Sequence, residues 1–398
     1  MKKVFACSVV TVSLLTAGLA LGAARPDVMT IYYPHWHVYP KGDEWFHPGW
    51  TEWEYVRDSQ SRFPGHCQPM VPQTGYLDGK DPKDVAREID LAADAGIDVF
   101  LYDYYYYNGT VTQEEALEQG FLKAKNRNRM KFAIMWCYHD RVMAWRPTEK
   151  STERRMLMAH DGTPEEFLGL IDLCIRRYFP RPEHYRKNGA LYFSFYNPAG
   201  FVEKVGRVKA KAAFAEARRR IRAAGLGEVH FNGQAGKLEN SELMKDVGLD
   251  SLTDYVFSAY MLDDYRERYE RGEWLYDFGS VGPQLEAWWR RLGEGPLPYY
   301  PFVSTGWDTT SRMRPDVKMP VAGPGVGYPY GGIFTNATAV HFGRCLEMAK
   351  RFAAEDPRRE LVQICAWNEY TEGCWLLPDN FEGDARLRAI ERTFGRKP

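Results

Sequence analysis

The stretch LVQICAWNEYTEG, residues 361–373, decides how the rest of the chain is interpreted. Its first half, residues 361–366, is apolar and contains β-branched side chains, which predicts a buried strand. The strand then runs into two carboxylates, Glu369 and Glu372, that stand beside aromatic rings. A parallel (β/α)8 barrel presents its catalytic groups in this way, at the carboxyl ends of its strands. Two carboxylates with different pKa values are also the groups that cleave a glycosidic bond.

The same run has a second interpretation. Asn368, Glu369 and Glu372 could form the N-cap and first turn of a helix, where acids interact favourably with the helix dipole. The neighbouring aromatic rings and the other strands of the chain favour catalysis over this alternative. We therefore predict that Glu369 and Glu372 are catalytic.

Seven further stretches have the pattern of strands, and helical segments separate them. With residues 361–366 they predict an α/β fold, a single (β/α)8 TIM barrel with long loops at its carboxyl face. No repeat or break in composition indicates a second domain, so residues 25–398 are expected to form one catalytic domain. The segment 314–332, rich in Pro and Gly, is expected to be a loop that borders the cleft. The seven stretches are residues 28–34, 97–103, 131–137, 190–197, 228–233, 255–260 and 299–308.

Polar and aromatic side chains recur where these strands end, as on the active face of a barrel. Four consecutive tyrosines follow the second strand, and their hydroxyls need partners if they are buried, so some of them are expected to line a cleft. The residues predicted to bind substrate from these strand ends are Tyr33, His35, Asp103, Tyr104, Trp136, Asn232, Tyr260, Trp307 and Asp308. His35 and His37 could bind a metal, but along a strand they point to opposite sides. We predict no metal site and no cofactor.

Composition excludes some classes of partner. The 398 residues include 52 basic and 53 acidic side chains, so no net field favours nucleic acid or an anionic membrane. The basic run at residues 204–222 has helical periodicity and is expected to be a solvated outer face. Aromatic residues make up 15% of the chain, which suits a cleft that stacks against sugar rings.

The first residues predict export. Lys2 and Lys3 precede an apolar run, residues 4–21, which ends in small residues. This pattern predicts a signal peptide, residues 1–24, that is removed to leave a periplasmic or extracellular protein without a membrane anchor. The alternative is an uncleaved membrane anchor. The cysteines after Cys7 are widely spaced, so no disulfide or zinc site is predicted, and Cys137 and Cys365 are expected to be buried thiols.

Four motifs carry a resemblance to a known family. They are Tyr32-Tyr33-Pro34, Trp50-Thr51-Glu52-Trp53, the tyrosines at 104–107, and WNEYTEG at 367–373. In this order, and over nearly the whole mature chain, the sequence resembles glycoside hydrolase family 99 and the related WbsX-like proteins of bacterial polysaccharide clusters. The last motif is the most specific of the four.

The resemblance implies a retaining, endo-acting hydrolase of α-mannoside-type linkages that needs no metal. It implies that Glu369 deprotonates the 2-hydroxyl of the substrate, and that Glu372 is the general acid/base. It also implies that Glu52 binds the sugar in the reacting subsite. Asn368, in the motif at 367–373, is predicted to bind substrate. The family commonly has His or Ala after the aromatic residue of this motif, and this chain has Thr371. The identity of the sugar therefore stays open, and the expected partner is an oligo- or polysaccharide.

Two other functions compete with hydrolysis. A non-catalytic glycan-binding protein could use the same barrel, since fold alone does not prove activity. The retention of both acids in a complete motif argues against this function. A role in polysaccharide assembly is the other alternative, and the predicted signal peptide argues against it. The Gly-rich residues 323–332 lack the strand–turn–helix setting of a phosphate loop.

Overall fold

The computed structural model describes residues 25–143, 155–234, 240–321 and 328–395. The predicted signal peptide and part of the predicted loop 314–332 lie outside these residues. Eight parallel strands form the centre of the protein. They are β1 (Asp27–Tyr32), β2 (Val99–Tyr107), β3 (Lys131–Cys137), β4 (Ala190–Tyr196), β5 (Val229–Gln234), β6 (Ser251–Thr253), β7 (Phe302–Ser304) and β8 (Leu361–Cys365).

The strands close into a (β/α)8 barrel, as predicted. Each strand pairs with its neighbours in the chain from β1 to β6, and β8 pairs with both β1 and β7. A parallel bridge between Leu252 and Tyr299 closes the remaining gap between β6 and the segment before β7. The carboxyl ends of all eight strands therefore face the same end of the barrel.

The sixth and seventh strands differ from the prediction. Residues 255–260 do not form a strand, because the sixth strand is Ser251–Thr253 and the chain then leaves the barrel. The sixth strand, Ser-Leu-Thr, has no apolar run that would predict it. Its two polar side chains, Ser251 and Thr253, make hydrogen bonds to other segments. The seventh strand, Phe302–Ser304, is shorter than predicted and begins after Pro301, which cannot donate a ladder hydrogen bond.

Helices cover the outside of the barrel. They are α1 (Pro40–Trp45), α2 (Trp53–Arg57), α3 (Pro82–Asp94), α4 (Pro164–Arg177), α5 (Pro198–Val205), α6 (Arg207–Ala223), α7 (Ser241–Val247), α8 (Tyr265–Glu270), α9 (Gly282–Gly293), α10 (Ala339–Ala354) and α11 (Ala385–Phe394). None of the helices in the described ranges has the length and apolar content needed to cross a membrane.

Local sequence explains where these helices begin and end. Asp81 caps α3 by accepting a hydrogen bond from the backbone of Lys83, and a proline follows it in the first turn. The predicted basic helix is two helices, α5 and α6, because Gly206 adopts φ 84° between them. Cys137 and Cys365 are buried free thiols, as expected.

The interior of the barrel below the cavity is polar. Asn232 Nδ2 donates to Ser251 Oγ at 3.0 Å, and Ser194 Oγ donates to Asn232 Oδ1 at 3.0 Å. Gln363 Nε2 donates to Gln234 Oε1 at 3.2 Å. These side chains come from β4, β5, β6 and β8. Because buried polar groups are costly without partners, their hydrogen bonds fix the register of the strands.

A buried acid of α3 holds the end of β8. Tyr32 of β1 donates to Glu88 Oε2 at 2.8 Å, and the indole of Trp367 donates to Glu88 Oε1 at 3.2 Å. Burial raises the pKa of the Glu88 carboxyl from its ordinary value of 4.5 to about 7. Trp367 precedes the two glutamates, so this contact links the helix layer to the segment that carries Glu369 and Glu372.

The raised pKa of Glu88 predicts a pH-dependent stability. Between about pH 4.5 and 7 the folded protein binds a proton that the unfolded chain has released, so stability falls as pH rises. Glu88→Gln removes this titration, because an amide does not ionise. The variant can keep both contacts, since the amide accepts a hydrogen bond from Trp367 and donates one to the Tyr32 hydroxyl.

We expect the free energy of unfolding of the wild type, relative to Glu88→Gln, to fall by on the order of 3 kcal/mol between about pH 5 and 8. Denaturant unfolding at both pH values measures this difference, and other groups that titrate in this interval cancel in the comparison. Parallel pH dependence of the two proteins would contradict the assignment.

Candidate active site

A cavity of about 570 Å³ opens at the carboxyl ends of the barrel strands. Asp103 and Tyr105 of β2, Cys137 of β3 and Tyr196 of β4 line its walls. The rest of the lining comes from the segments that follow the strands. These residues are Tyr33, His139, Asp140, Arg141, Val142, Tyr255, Val256, Trp307, Arg312, Tyr328, Glu369 and Glu372.

The chain after β8 forms a hairpin and not a helix. Asn368–Glu369 pairs antiparallel with Cys374–Trp375, and the single 3-10 turn Tyr370–Glu372 joins them. Gly373 ends the turn with φ 74°, and a Cβ there would lie 2.4 Å from the backbone nitrogen of Asp308. The alternative that this run begins a helix is therefore wrong. The hairpin brings both glutamates to the cavity.

Arg312 is the central cation of the site. It ends the short turn Thr310–Arg312 after β7, and its side chain is 4% exposed. Its Nη1 donates to Glu372 Oε1 at 2.5 Å, and its Nη2 lies 3.1 Å from Glu52 Oε1 and 3.6 Å from Glu369 Oε1. One guanidinium therefore contacts carboxylates from the segments after β1 and β8.

Glu52 lies behind the cavity wall, fully buried. Tyr33 donates to its Oε2 at 2.7 Å, His35 Nδ1 lies 3.1 Å from the same oxygen, and the Thr371 hydroxyl donates to Oε1. Burial alone would raise the pKa of Glu52, but Arg312 and the hydrogen bond from His35 hold it well below its ordinary value. Glu52 is thus ionised and compensates the charge of Arg312.

His35 connects this acid to a second arginine. Its Nε2 lies 2.5 Å from Arg141 Nη2 and 2.6 Å from Gln113 Nε2, both of which are donors. Burial and the neighbouring Arg141 lower the pKa of His35 to about 3. The ring is therefore neutral, with its proton on Nδ1 facing Glu52. Arg141 also lies over the ring of Tyr105, 4.7 Å from its centroid.

Glu369 belongs to a group of buried acids. The hydroxyl of Tyr255 lies 2.7 Å from Glu369 Oε2 and 2.9 Å from Asp103 Oδ2. Burial, followed by the charge of Glu372, raises the pKa of Glu369 well above its ordinary value. Burial also raises the pKa of Asp103 to about 8. Protonated and ionised carboxyl groups can therefore coexist in this cavity at neutral pH.

The structure brings some of the predicted site residues together. Tyr33, Asp103, Trp307, Glu369 and Glu372 line the cavity. The predicted residues His35, Glu52 and Asn368 lie behind the lining. Asn368 Oδ1 accepts a hydrogen bond from the backbone nitrogen of Tyr33 at 2.7 Å.

Two aromatic residues point away from the cavity, contrary to the prediction. Side chains alternate along a strand, so Asp103 faces the cavity and Tyr104 faces the helices. The Tyr104 hydroxyl makes a 2.8 Å hydrogen bond with Tyr178, which follows α4. Trp136 is fully buried and stacks on Phe167 of α4 at 5.8 Å. Neither ring can contact a sugar in the cavity.

Three more predicted residues lie outside the lining. Asn232 belongs to the polar layer inside the barrel, below the cavity. Asp308 Oδ2 lies 2.8 Å from Nε2 of His66, and Tyr260 contacts the edge of Trp307 with a centroid distance of 6.2 Å. Asp308 and Tyr260 therefore support the wall of the cavity from behind, and Asn232 lies beneath it.

Several residues that line the cavity were not predicted as site residues from the sequence. Tyr255 falls in the stretch that was predicted to be strand six, Arg141 begins the short strand Arg141–Met143, and Tyr328 lies in an irregular segment. Arg312 also lies in an irregular segment, so no sequence signal places it between the two glutamates. Within the described ranges, no group of three or more His, Cys, Asp or Glu side chains is arranged to hold a metal ion.

Comparisons with known proteins agree with the fold. A family model described as Glycosyltransferase WbsX matches residues 28–390. Two proteins named "Uncharacterized protein WxcX", from two strains of Xanthomonas campestris pv. campestris, are each 25% identical to the chain. The matches cover 95% and 96% of this chain and 51% of each relative, so the chain spans about half the length of the curated relatives it matches.

Two solved structures share the barrel. The GH99 endo-α-mannosidase from Bacteroides thetaiotaomicron aligns with a TM-score of 0.57 at 13% identity, over 92% of this chain and 95% of that one. A structure described as a glycoside hydrolase-like protein aligns with a TM-score of 0.60 at 15% identity, over 94% and 95%. At these identities the alignments show a common fold. Together with the family model, they confirm the resemblance seen in the motifs.

Glu52 provides a test of the ionic cluster. Glu52→Gln leaves Arg312 without one of its buried countercharges, so we expect a loss of stability of about 3–5 kcal/mol at neutral pH. Because the pKa of Glu52 is lowered, its contribution is present above the ordinary value of 4.5 and is lost as pH falls toward the folded value.

Denaturant unfolding of wild type and variant at about pH 7 and pH 4 measures this contribution. Glu54→Gln changes an exposed neighbour and should alter stability by less than about 0.5 kcal/mol. At pH 4 the loss from Glu52→Gln should be smaller than at pH 7 by about 0.8 kcal/mol, because the carboxyl of the unfolded chain is then mostly protonated. An equal loss at the two pH values would show that Glu52 is not the ionised partner of Arg312.

Proposed function

Since the chain belongs to the WbsX family, and its barrel is shared with glycoside hydrolases, we propose that it hydrolyses glycosidic bonds. The observation that carries the proposal is the hairpin after β8. It places Glu369 and Glu372 in one cavity, where both lie near the guanidinium of Arg312. The substrate would be an oligo- or polysaccharide with α-linked, mannoside-type or related, sugars, cleaved with retention and at internal bonds.

The two acids would have different roles in this reaction. Glu369 accepts the proton of the 2-hydroxyl, whose oxygen then attacks C1 of the same sugar. Glu372 donates a proton to the oxygen of the leaving sugar as the C1–O bond breaks. Glu372 next removes a proton from water, whose oxygen attacks C1 and breaks the C1–O2 bond of the anhydro-sugar. Glu369 returns its proton to O2 in this step, which restores the 2-hydroxyl and the free carboxylate. Each of the two substitutions inverts the configuration at C1, so the overall reaction retains it.

The lining of the cavity suits a neutral, hydroxyl-rich substrate. Trp307 offers an apolar face, and the tyrosines add both faces and hydroxyls; they are Tyr33, Tyr105, Tyr196, Tyr255 and Tyr328. Carboxyl oxygens of the acids accept hydrogen bonds from sugar hydroxyls. This combination of a few directed polar groups with aromatic walls is typical of small-molecule sites.

Glycosyl transfer from a nucleotide sugar is supported less well, although the family description names a glycosyltransferase. The cavity is lined by four acidic side chains and two arginines, so its charge does not favour a diphosphate. Arg312 already contacts Glu52, Glu369 and Glu372. A phosphate would have to compete with these carboxylates.

We also propose that the protein is exported to the periplasm or beyond. The support is the sequence pattern of residues 1–24, with two lysines, an apolar run and small residues at its end. A mature protein that begins near residue 25 would then meet polysaccharide outside the cytoplasm.

Substitution of either glutamate tests the reaction. Glu369→Gln and Glu372→Gln keep size and hydrogen bonding but cannot exchange protons, so each should lower turnover by about a hundredfold or more. The control Glu54→Gln, outside the cavity, should keep the wild-type rate. Reducing-end release from a panel of α-linked bacterial, fungal, plant and algal glycans gives the measurement.

The outcomes separate the candidate functions. Near-wild-type rates of both glutamine variants on a cleaved glycan would refute the catalytic assignment. Binding of a glycan without products from any of the proteins would favour a glycan-binding protein. Release of sugar from a nucleotide sugar, and not from a glycan, would favour transfer.

Trp307 provides a test of where the glycan lies. Trp307→Ala removes the aromatic face that lines the cavity and should raise KM or Kd about tenfold, which corresponds to roughly 1.4 kcal/mol. Trp136→Ala removes a ring of similar size from the buried layer between β3 and α4, and should lower stability by about 3–5 kcal/mol. Unchanged glycan affinity after Trp307→Ala would place the sugar elsewhere.

A further inference from the structure

Tyr255 joins two carboxyl groups through one hydroxyl. Its oxygen lies 2.7 Å from Glu369 Oε2 and 2.9 Å from Asp103 Oδ2, and both distances are those of hydrogen bonds. A phenol has a single proton to donate, and an ionised carboxylate has none. If both acids were ionised, one of these two oxygen pairs would therefore lack a full hydrogen bond. The three side chains together hold one proton more than the phenol supplies.

The surroundings indicate which carboxyl carries this proton. The contact of Tyr255 with Glu369 is the shorter one, as expected when the acceptor is charged. Arg312 Nη2 lies 3.6 Å from Glu369 Oε1 and favours its ionised form. Burial raises the pKa of both Asp103 and Glu369, so the contacts must decide between them. Among the described residues, Asp103 has no ion pair, and its Oδ1 is buried without a hydrogen-bond partner, which disfavours its charged form. The extra proton is therefore placed on Asp103.

We propose that Asp103 is a positioning acid: it holds a proton on Oδ2 and donates it to Tyr255, whose hydroxyl donates to Glu369. This inference rests on the proposed function, in which Glu369 must be ionised to accept a proton from the substrate. Because it is protonated, Asp103 places no second negative charge beside Glu369. Its other oxygen, Oδ1, is buried without a hydrogen-bond partner among the described residues, and can meet a substrate hydroxyl.

The other charged and titratable groups around Asp103, Tyr255 and Glu369 leave the proton on Asp103. Glu372 raises the pKa of both acids, whereas Arg312 acts on Glu369 and Arg141 acts on Asp103. Other titratable groups that face the Asp103–Tyr255–Glu369 chain are Tyr33, Tyr105, Cys137, Tyr196, Tyr328 and Cys365. Burial raises the pKa of each of these hydroxyls and thiols, so they stay neutral at pH 7 and leave the carboxyl proton in place.

Infrared spectroscopy of the full-length protein tests the proton directly. At neutral pH the difference spectrum between wild type and Asp103→Asn should contain the carbonyl band of one protonated carboxylic acid, lost in the variant. Tyr255→Phe keeps the ring but removes the acceptor, and should shift the same band. A difference spectrum with only carboxylate bands, or a band that Tyr255→Phe leaves unmoved, would overturn the proposal.

The pH profile of kcat/KM tests the role in catalysis. The amide of Asp103→Asn donates to Tyr255 as the protonated acid does, so the acidic limb of its profile should stay where it lies in the wild type. Asp103→Ala has no donor and should be at least about tenfold slower, and in a Tyr255→Phe background it should add no further loss. An acidic limb that moves down by about one pH unit or more in Asp103→Asn would show that Asp103 is ionised in the wild type.

The two measurements also separate this proposal from the proposed function. If no glycan is cleaved by any of the proteins, hydrolysis is refuted, while the infrared bands still decide where the proton lies. If glycans are cleaved and the infrared bands are absent, hydrolysis stands and the role of Asp103 is wrong.

Discussion

The geometry of the cavity depends on the burial of one guanidinium. Arg312 is 4% exposed, and a charge in such a place is tolerated only if carboxylates and hydrogen bonds surround it. Its partners come from different parts of the chain: Glu52 follows β1, and Glu369 and Glu372 follow β8. The segments after β1, β7 and β8 must therefore meet for the charge to be compensated. The positions of both glutamates follow from this requirement.

Contacts outside the cavity fix the loop that carries this arginine. Arg62 donates through Nη1 to the carbonyl of Val317 at 2.6 Å, and through Nη2 to that of Arg314 at 2.9 Å. His66 and Asp308 join the same two loops at 2.8 Å. The loop after β1 thus contacts the loop after β7 in two places. Glu52 binds Arg312 on the inside, and Arg62 and His66 make the contacts on the outside. A polar residue at the end of a strand, such as Asp308, can belong to this support and need not line the cavity.

Sequence reasoning succeeds where a pattern is local and fails where position depends on distant contacts. Seven of the eight strands overlap the predicted stretches, because each has an apolar or alternating run. The sixth, Ser251–Thr253, is polar because it faces the hydrogen-bonded barrel interior. The face of a strand on which a given side chain lies is harder to predict than the existence of the strand. Asp103 and Tyr104 are neighbours in sequence, yet only register decides that the first faces the cavity and the second faces α4. Arg312 has no local signal, since its place is set by acids that lie 60 and 260 positions away in the chain.

The short hairpin also explains how two similar acids can differ in chemistry. Glu369 and Glu372 lie on one turn and share the same cation, but the contacts are unequal: Arg312 is 2.5 Å from Glu372 and 3.6 Å from Glu369. Glu369 gains a hydroxyl from Tyr255 instead, and through it a connection to Asp103. Acids in one pocket perform different steps when their partners differ, because the partners decide which carboxyl holds a proton. Here Arg312 follows β7 and Tyr255 follows β6, whereas Asp103 belongs to β2 on the other side of the barrel. The closed barrel, by fixing where those strands end, therefore makes the two glutamates chemically distinct.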